Sequence, residues 1–237
     1  MKIALLGYGK MGQTIDRLAM DLGHEFVLRY TGYGPTPDLS TADVAIEFSV
    51  PEAAAGNLLS CFEADIPVVC GTTGWLDRYP EIIKKCEASN GAMIYASNFS
   101  IGVNLLFHLN EYLARMMKDR PYGVDIEETH HTQKLDAPSG TAISLAEGII
   151  EHTDLKGWTL GNGAETEIGI NAWRQGDVKG IHQVNYRSQE DQLSIRHEAF
   201  SRDGFGKGAL LAANWLIGKR GVYTMNDVLA LHLPADR

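Results

Sequence analysis

An α/β fold, in which a doubly wound parallel sheet is joined to a second, α+β domain, is what three features of this sequence predict. Over the first hundred residues short apolar runs alternate with helical patterns, as a parallel sheet with crossover helices requires. After Ser100 that rhythm gives way to a strand-rich region interrupted by one helix. Near the end an apolar helix, Gly208–Ile217, and a tail, Val222–Leu233, supply elements that return to the first domain.

Each element follows from its pattern. Lys2–Leu6 is a short apolar strand, and Met11–Leu22 is helical, with Met11, Ile15, Leu18, Ala19 and Leu22 on one face. Glu25–Thr31 and Val44–Phe48 are strands, and Pro51, at a position proline favours, opens a helix. Strand Ile66–Cys70, helix Ile82–Ala88 and strand Gly91–Ala96 follow. The long helix Val103–Met117 leads into strands Val124–Thr129, Glu167–Trp173, His182–Tyr186 and Asp191–His197, with the helix Thr141–Glu151 among them. Alternation such as Ile168, Ile170, Ala172 implies a sheet with one covered face and one exposed or paired face. The expected domains are 1–100, 101–207 and a returning 208–237, with the glycine-rich Ser201–Gly208 where a hinge is expected.

Composition narrows the function. No stretch approaches the roughly 18 apolar residues of a membrane span, and Ile3–Leu6 is too short for a signal peptide, so a cytoplasmic protein is expected. Cys61, Cys70 and Cys86 are odd in number and form no CxxC pair, which predicts buried free thiols and argues against disulfides or a zinc ribbon. The net charge of −9 disfavours nucleic acid and acidic membranes as partners. An acidic protein that handles an anion must therefore build a local positive pocket.

Gly7-Tyr8-Gly9-Lys10-Met11-Gly12 follows a strand and opens a helix, the context that gives GxGxxG its meaning as a Rossmann-type dinucleotide site. Gly7 permits the turn, Gly9 lets the backbone approach a pyrophosphate, Gly12 lets helix and strand pack, and the helix amides face the phosphates. Two further turns lie where ligands collect in open α/β sheets: Gly71, Thr72 and Thr73, and Ala96, Ser97, Asn98 and Phe99. At the adenosine end no acid stands near Arg29-Tyr30-Thr31; Arg29 either supports a 2′-phosphate or is a solvated strand-end charge, so NADH and NADPH both stay open.

The other chemical constellation is Glu128–Ala142, ETHHTQKLDAPSGTA. A strand ends in His130-His131, Lys134 follows, and Asp136-Ala-Pro-Ser-Gly-Thr-Ala142 announces a helix with Ser139 as its N-cap. Histidine exchanges protons near neutrality, and lysine supplies a compact positive charge. Neighbours on a strand point to opposite faces, so His130 and His131 serve one site only if the strand ends there. A helix N-terminus with Ser139, Gly140 and Thr141 is a carboxylate receptor, and Lys134 adds charge to it. His130, His131, His152, His182 and His197 show no HExxH spacing, and hydride chemistry needs no metal, so none is expected.

With these residues assembled, the chain resembles the dihydrodipicolinate reductases, or 4-hydroxy-tetrahydrodipicolinate reductases, of bacterial lysine and diaminopimelate biosynthesis. Gly7–Gly12, Gly71–Gly74, Asn98-Phe-Ser100 with Gly102-Val-Asn104, and His130-His131 with Lys134 and Asp136–Ala142 carry the resemblance. So do Arg174-x-Gly176 to His182, His197-x-Ala199-x-x-Arg202 with Phe205 and Gly208-Ala209, and Tyr223-Thr-Met-x-Asp-Val228. The resemblance implies NADH or NADPH in the first domain, a dicarboxylate in the second, closure over both, and a homotetramer joined through the second sheet. It further implies His130 as proton donor or acceptor and Lys134 as a second donor, with His131, Lys134, Ser139, Gly140 and Thr141 on the substrate carboxylates. Two departures are visible: the Gly32–Thr41 connection is short for the family, and Ser97 stands where alanine or proline is commoner. Another NAD(P)-dependent amino-acid or semialdehyde dehydrogenase, or an NAD(P)H sensor without catalysis, would share the first domain but not the paired histidines with DAPSGTA.

Overall fold

The computed structural model describes residues 1–31 and 37–231. In chain order it contains β1 (Lys2–Leu6), α1 (Lys10–Asp21), β2 (Glu25–Tyr30), β3 (Val44–Glu47), α2 (Pro51–Glu63), β4 (Val68–Cys70), α3 (Tyr79–Ala88), β5 (Ala92–Tyr95) and α4 (Ile101–Met117). It continues with β6 (Gly123–His130), α5 (Gly140–Glu151), β7 (Gly157–Leu160), β8 (Glu167–Arg174), β9 (Ile181–Arg187), β10 (Gln192–Glu198), α6 (Asp203–Leu216), β11 (Gly221–Tyr223) and α7 (Met225–Leu229). The described chain divides into two compact units, Met1–Ile101 with Arg202–Leu231, and Gly102–Ser201. Part of the short Gly32–Thr41 connection and the last two residues of the expected Val222–Leu233 tail lie outside the described residues.

The first unit is the doubly wound α/β sheet, with strand order β11-β5-β4-β3-β1-β2 and every pairing parallel. Its strands are apolar without alternation because both faces are covered. Ile3, Leu5, Ile46 and Ile94 pack under α1 and α6, while Ala4, Leu6, Val68 and Met93 pack under α2 and α3. The chain runs from β1 to β2 on one side and then crosses back to β3 on the other. The carboxyl ends of β1 and β3 therefore flank the topological switch point, where open sheets of this kind bind ligands.

The second unit is a mixed sheet, β10-β9-β6-β8-β7, in which β6 runs parallel to β8 and antiparallel to β9. One face carries Ile126, Ile168, Ile170 and Val184 against Leu106, Leu113, Leu145 and Ile149 of α4 and α5. The other face is polar: Asn185 accepts from Gln183, Gln192 and Ser194, donates to Asp125, and shares that face with the exposed Trp173.

Three elements differ from the sequence pattern, each for a local reason. Strand β7 is four residues long and too short to show a period; its pairing with β8 defines it. The tail resolves into β11, which extends the first sheet beside β5, and α7, closed by a Thr224–Asp227 capping box. Helix α6 begins at Asp203, so the expected hinge at Ser201–Gly208 is largely helical and the return to the first unit starts at Arg202. The glycines there serve close packing: a Cβ on Gly206 would lie 2.7 Å from Leu18 Cδ1, and one on Gly208 would lie 1.7 Å from the Phe99 carbonyl oxygen. All three cysteines are buried free thiols, and no described helix is long and apolar enough to cross a membrane.

Because backbone cannot yield as a side-chain tip can, Gly208→Ala should destabilise by about 2 kcal/mol or more, the range for overpacking a dense interior. Urea unfolding measures this; an unchanged midpoint would mean that α6 can shift to admit the methyl group.

Candidate active site

At the sheet end of the first unit, the three ligand-binding turns predicted from sequence leave the carboxyl ends of β1, β4 and β5. Gly7 has φ +103° and a Cβ there would lie 2.1 Å from the Phe48 carbonyl oxygen, so only glycine fits this turn. Gly12 lies against the same turn, where a Cβ would come within 2.3 Å of the Gly7 carbonyl oxygen. Gly9, the N-cap of α1, is different: a Cβ there meets nothing within 4 Å. The open space beside a helix N-terminus is a cradle of the kind a pyrophosphate fills. Tyr8, Lys10 and Met11 complete the turn and the first helical residues.

Residues from β3, absent from the sequence expectation, tie these turns together. The Phe48 ring fills the space beside Gly71 and packs 5.7 Å from the Phe99 ring. Buried Glu47 accepts from the Ser49 amide and hydroxyl, from Asn57 at 3.2 Å and from the Cys70 thiol at 3.2 Å. The Ser49 amide also donates to the Thr72 hydroxyl at 2.8 Å, so that hydroxyl is engaged inside the protein. Thr73 is exposed and Phe99 is a core side chain, leaving its backbone as the part able to face a ligand. Asn98 accepts from the Ser100 amide and shapes the third turn, next to Ala96 and Ser97.

Arg29 belongs to neither of its two sequence alternatives alone. It forms a two-point ion pair with Asp16, at 2.7 and 2.8 Å, and Asp16 also accepts from the Tyr8 hydroxyl at 2.6 Å. The Arg29 hydrogen bond holds the Asp16 carboxyl below its ordinary range, and Asp16 in turn raises the Tyr8 phenol. The pair anchors the Gly7–Gly12 turn to β2.

In the second unit, strand period places Ile126, Glu128 and His130 on the covered face of β6, so the apolar core turns polar at the strand's carboxyl end. There α5 begins, with Ser139 as N-cap accepting from the Ala142 amide at 3.2 Å. Glu128 has no exposed surface. It accepts from the Ser139 amide at 3.0 and 3.1 Å and from the Ser139 hydroxyl. Both terminal nitrogens of Arg174 stand 3.4 Å away. His130 Nδ1 lies 3.6 Å and His182 Nε2 3.7 Å from the same carboxylate. Since the Ser139 hydroxyl proton goes to Glu128, the 3.1 Å contact between Ser139 Oγ and His182 is one in which Nε2–H donates.

Lys134 Nζ bonds both oxygens of Asp136, at 2.8 and 2.7 Å, on the loop before the helix. Arg174 braces the same loop by donating to the Lys134 and Asp136 carbonyls at 3.3 and 2.6 Å. Gly140 is exposed with open space beside it, and Thr141 follows in the first turn. His131 stands outside the Glu128 contacts; its Nδ1 is buried without a hydrogen-bond partner among the described residues. Strand β6 continues through His130, which is why the two histidines part company.

Burial lowers His130 below its ordinary value; Glu128 opposes that, while Lys134 and Arg174 add to it. Burial, together with His130 and His197, pushes His182 down to about 3. Burial works against the charge on Asp136, but the Lys134 bonds outweigh it and its carboxyl is held low. Glu128, His130 and His182 are also ligand types for a metal ion and lie within 4.8 Å of one another. The carboxylate is already saturated by Ser139 and a guanidinium, an environment suited to an ion pair rather than a second cation.

Comparison with known proteins gives the chain its relatives. A family model described as "Dihydrodipicolinate reductase, C-terminus" matches residues 102–229, and one described as "Dihydrodipicolinate reductase, N-terminus" matches residues 35–99. A 4-hydroxy-tetrahydrodipicolinate reductase of Christiangramia forsetii is 51% identical over 97% of this chain and 98% of its own length. The chain belongs to the dihydrodipicolinate reductase family. Another reductase of that name, from Methanopyrus kandleri, is 40% identical over 91% of this chain and 84% of its own. Among solved structures, a dipicolinate-bound dihydrodipicolinate reductase from Paenisporosarcina sp. TG-14 superposes with a TM-score of 0.74. It is 24% identical over 94% of this chain and 97% of its own, a likeness of fold. An aspartate dehydrogenase from Thermotoga maritima shares the fold more loosely, at TM-score 0.51 and 14% identity over 90% of this chain and 95% of its own. Fold alone thus does not separate this reductase family from amino-acid dehydrogenases.

For this family member the sequence pattern brought forward His130, His131, Lys134, Ser139, Gly140 and Thr141 and included Glu128, Arg174 and His182 in its motifs, but it gave those three no role in the site. A signal existed for Glu128: it shares strand parity with Ile126 and His130, and a glutamate on the inward parity of a strand demands partners. Arg174 and His182 come from β8 and β9, opposite His130 and Glu128 in register, which only the sheet order reveals.

Neutral His182 makes stability depend on pH. The unfolded chain takes up a proton on this ring near 6.5, whereas the folded chain does so only near 3. Its contribution is therefore complete above about 6.5 and is lost as pH falls from 6.5 toward 3. His182→Asn should flatten the fall of unfolding free energy with acid, by up to about 1.4 kcal/mol per pH unit. Urea unfolding between pH 7 and 4, with equal slopes in both proteins, would show that His182 does not stay neutral.

Proposed function

We propose that this chain reduces 4-hydroxy-tetrahydrodipicolinate to tetrahydrodipicolinate with NADH or NADPH, the reaction its relatives are named for, in lysine and diaminopimelate biosynthesis. The observation that carries the proposal is the junction of β6 and α5, where His130 and a helix N-terminus meet at one buried carboxylate and Lys134 stands on the loop between them. In this reading the unit of residues 1–101 with the return from Arg202 binds the cofactor, and the unit of residues 102–201 binds the substrate. The turns at Gly7–Gly12, Gly71–Thr73 and Ala96–Phe99 hold the cofactor, with Gly9 beside the pyrophosphate.

When bound, the nicotinamide supplies a hydride. The chain's own residues supply what the substrate then needs. The first turn of α5, with Gly140 exposed and Thr141 following it, receives one carboxylate, and Lys134 and His131 steady the dianion. Loss of the 4-hydroxyl as water leaves an unsaturated cyclic imine; hydride addition at ring C4 would make it an electron-rich enamine, to which His130 delivers the balancing proton, with Lys134 as a second donor. Ser139 contributes as the N-cap that fixes the helix end; its hydroxyl is turned inward to Glu128. The polar face of the second sheet, with exposed Trp173, is the surface on which four copies would assemble as a homotetramer. A cytoplasmic biosynthetic enzyme accords with this chemistry.

Oxidation of each nicotinamide cofactor, followed by near-ultraviolet absorbance with enzymatically generated substrate, tests the activity against an amino-acid dehydrogenase and against a sensor that binds without turnover. His130→Gln should lower kcat by roughly 10²–10⁴ with cofactor affinity unchanged, the range for losing a general acid. Near-normal kcat would remove His130 from the chemistry. Lys134→Ala should raise KM and lower kcat together, since charge is lost from bound substrate and transition state alike; a change in folding stability alone would dismiss the anion receptor.

A further inference from the structure

Glu128 is costly where it stands. A carboxylate with no exposed surface forfeits its hydration, and replacing such a group by an apolar side chain of similar size commonly leaves stability equal or better. Nothing in the packing of β6 calls for it: Ile126, one step earlier on the same face, fills the equivalent space with hydrocarbon. What distinguishes position 128 is its neighbours. Two residues along the strand lies His130, across β9 lies His182, and the N-cap of α5 is bonded to it directly.

We propose that Glu128 is a positioning residue for the reaction: its carboxylate keeps the His130 proton on Nδ1, leaves Nε2 to exchange the proton with substrate, and favours the charged ring. The inference rests on the proton-donor role given to His130 above. The Nδ1–carboxylate separation of 3.6 Å is longer than a formed hydrogen bond, as contacts in unliganded sites often are, and one that closes when a ligand is bound. No other acceptor is placed at Nδ1 among the described residues. On the opposite side Nε2 faces Gly180, where a Cβ would lie 3.2 Å away, so the glycine leaves that edge of the ring uncrowded.

The charges facing His130 support this division. Lys134 and Asp136 come from the loop after β6, Arg174 from β8 and His182 from β9. Lys134 and Asp136 are paired with each other, and His182 is neutral near pH 7. Arg174 disfavours an imidazolium, and Glu128 is the group that answers it. Through Ser139 the same carboxylate fixes the start of α5, so one anchor sets both the proton donor and the carboxylate receptor.

The test compares Glu128→Gln and Glu128→Asp with the wild-type protein, using the His130 ring resonances, assigned by their loss in His130→Gln. In the wild type, nitrogen shifts should show the neutral ring protonated on Nδ1. In Glu128→Gln the His130 titration should move about one unit lower, and the alkaline limb of kcat/KM should move with it. Activity near pH 8 should drop about tenfold, one decade per unit, with KM for NADPH unchanged; Glu128→Asp should recover part of the shift. A folded Glu128→Gln protein with wild-type titration and limb would overturn the proposal, and so would a wild-type ring protonated on Nε2, a measurement needing no variant. Stoichiometric zinc binding lost in Glu128→Gln would instead assign the cluster to a metal. Should His130→Gln keep normal kcat, the function reading fails, while the resonances still decide whether Glu128 sets the ring.

Discussion

A buried carboxylate at the end of a strand is the constraint around which the second unit is arranged. Glu128 cannot remain ionised inside the protein without donors, and the chain supplies them from β6, β8, β9 and the start of α5. Each donor is thereby fixed in position. Ser139 must cap α5 where it does, Arg174 must cross from β8, and the loop 131–138 must pass under the Arg174 guanidinium, which grips two of its carbonyls. An apolar residue at 128 would leave each of these groups free to choose another place. The expense of the buried charge is offset by specificity of arrangement, which is the use to which buried ion pairs are best suited.

The first unit solves a different problem with different material. The turns at the carboxyl end of its sheet need backbone brought very close to backbone, and only glycine allows this at Gly7, Gly12 and Gly208. Between those contacts the Phe48 ring acts as a shared wall for two turns, and Glu47 and Thr72 lock the third-strand and fourth-strand ends together.

This difference explains what could be read before the fold was in hand. Gly7–Gly12 and the apolar strands were legible because turn geometry and burial write themselves into local sequence. Ser139 as N-cap was legible for the same reason, being a local matter between a side chain and amides three residues on. Glu128, Arg174 and His182 were not, because each matters through a partner on another strand and no spacing along the chain encodes sheet order. The glycines of Ser201–Gly208 mark the unit boundary at Ser201–Arg202, but they lie inside α6. Glycine signals both flexibility and close approach, and only the neighbouring Phe99 carbonyl decides which applies.

The same geometry resolves how an acidic protein presents a positive site. Lys134 and Arg174 are both already matched by carboxylates, so the site carries no surplus of positive charge at rest. The two pairs are not equivalent. Arg174 faces a carboxylate that has no exposure and three further contacts, and exchanging it would strand a buried anion. Lys134 is held by Asp136, whose side chain is 61% exposed and whose carboxylate water can solvate if the lysine leaves. A pair of that kind is worth little and is readily exchanged. Under the proposed function, an incoming dicarboxylate would displace Asp136 from Lys134 at small cost, while Arg174 stays with Glu128 and keeps the frame. Of the two cations, Lys134 is the one free to exchange its partner and Arg174 is held to the structure, a division set by burial of their partners rather than by their own charge.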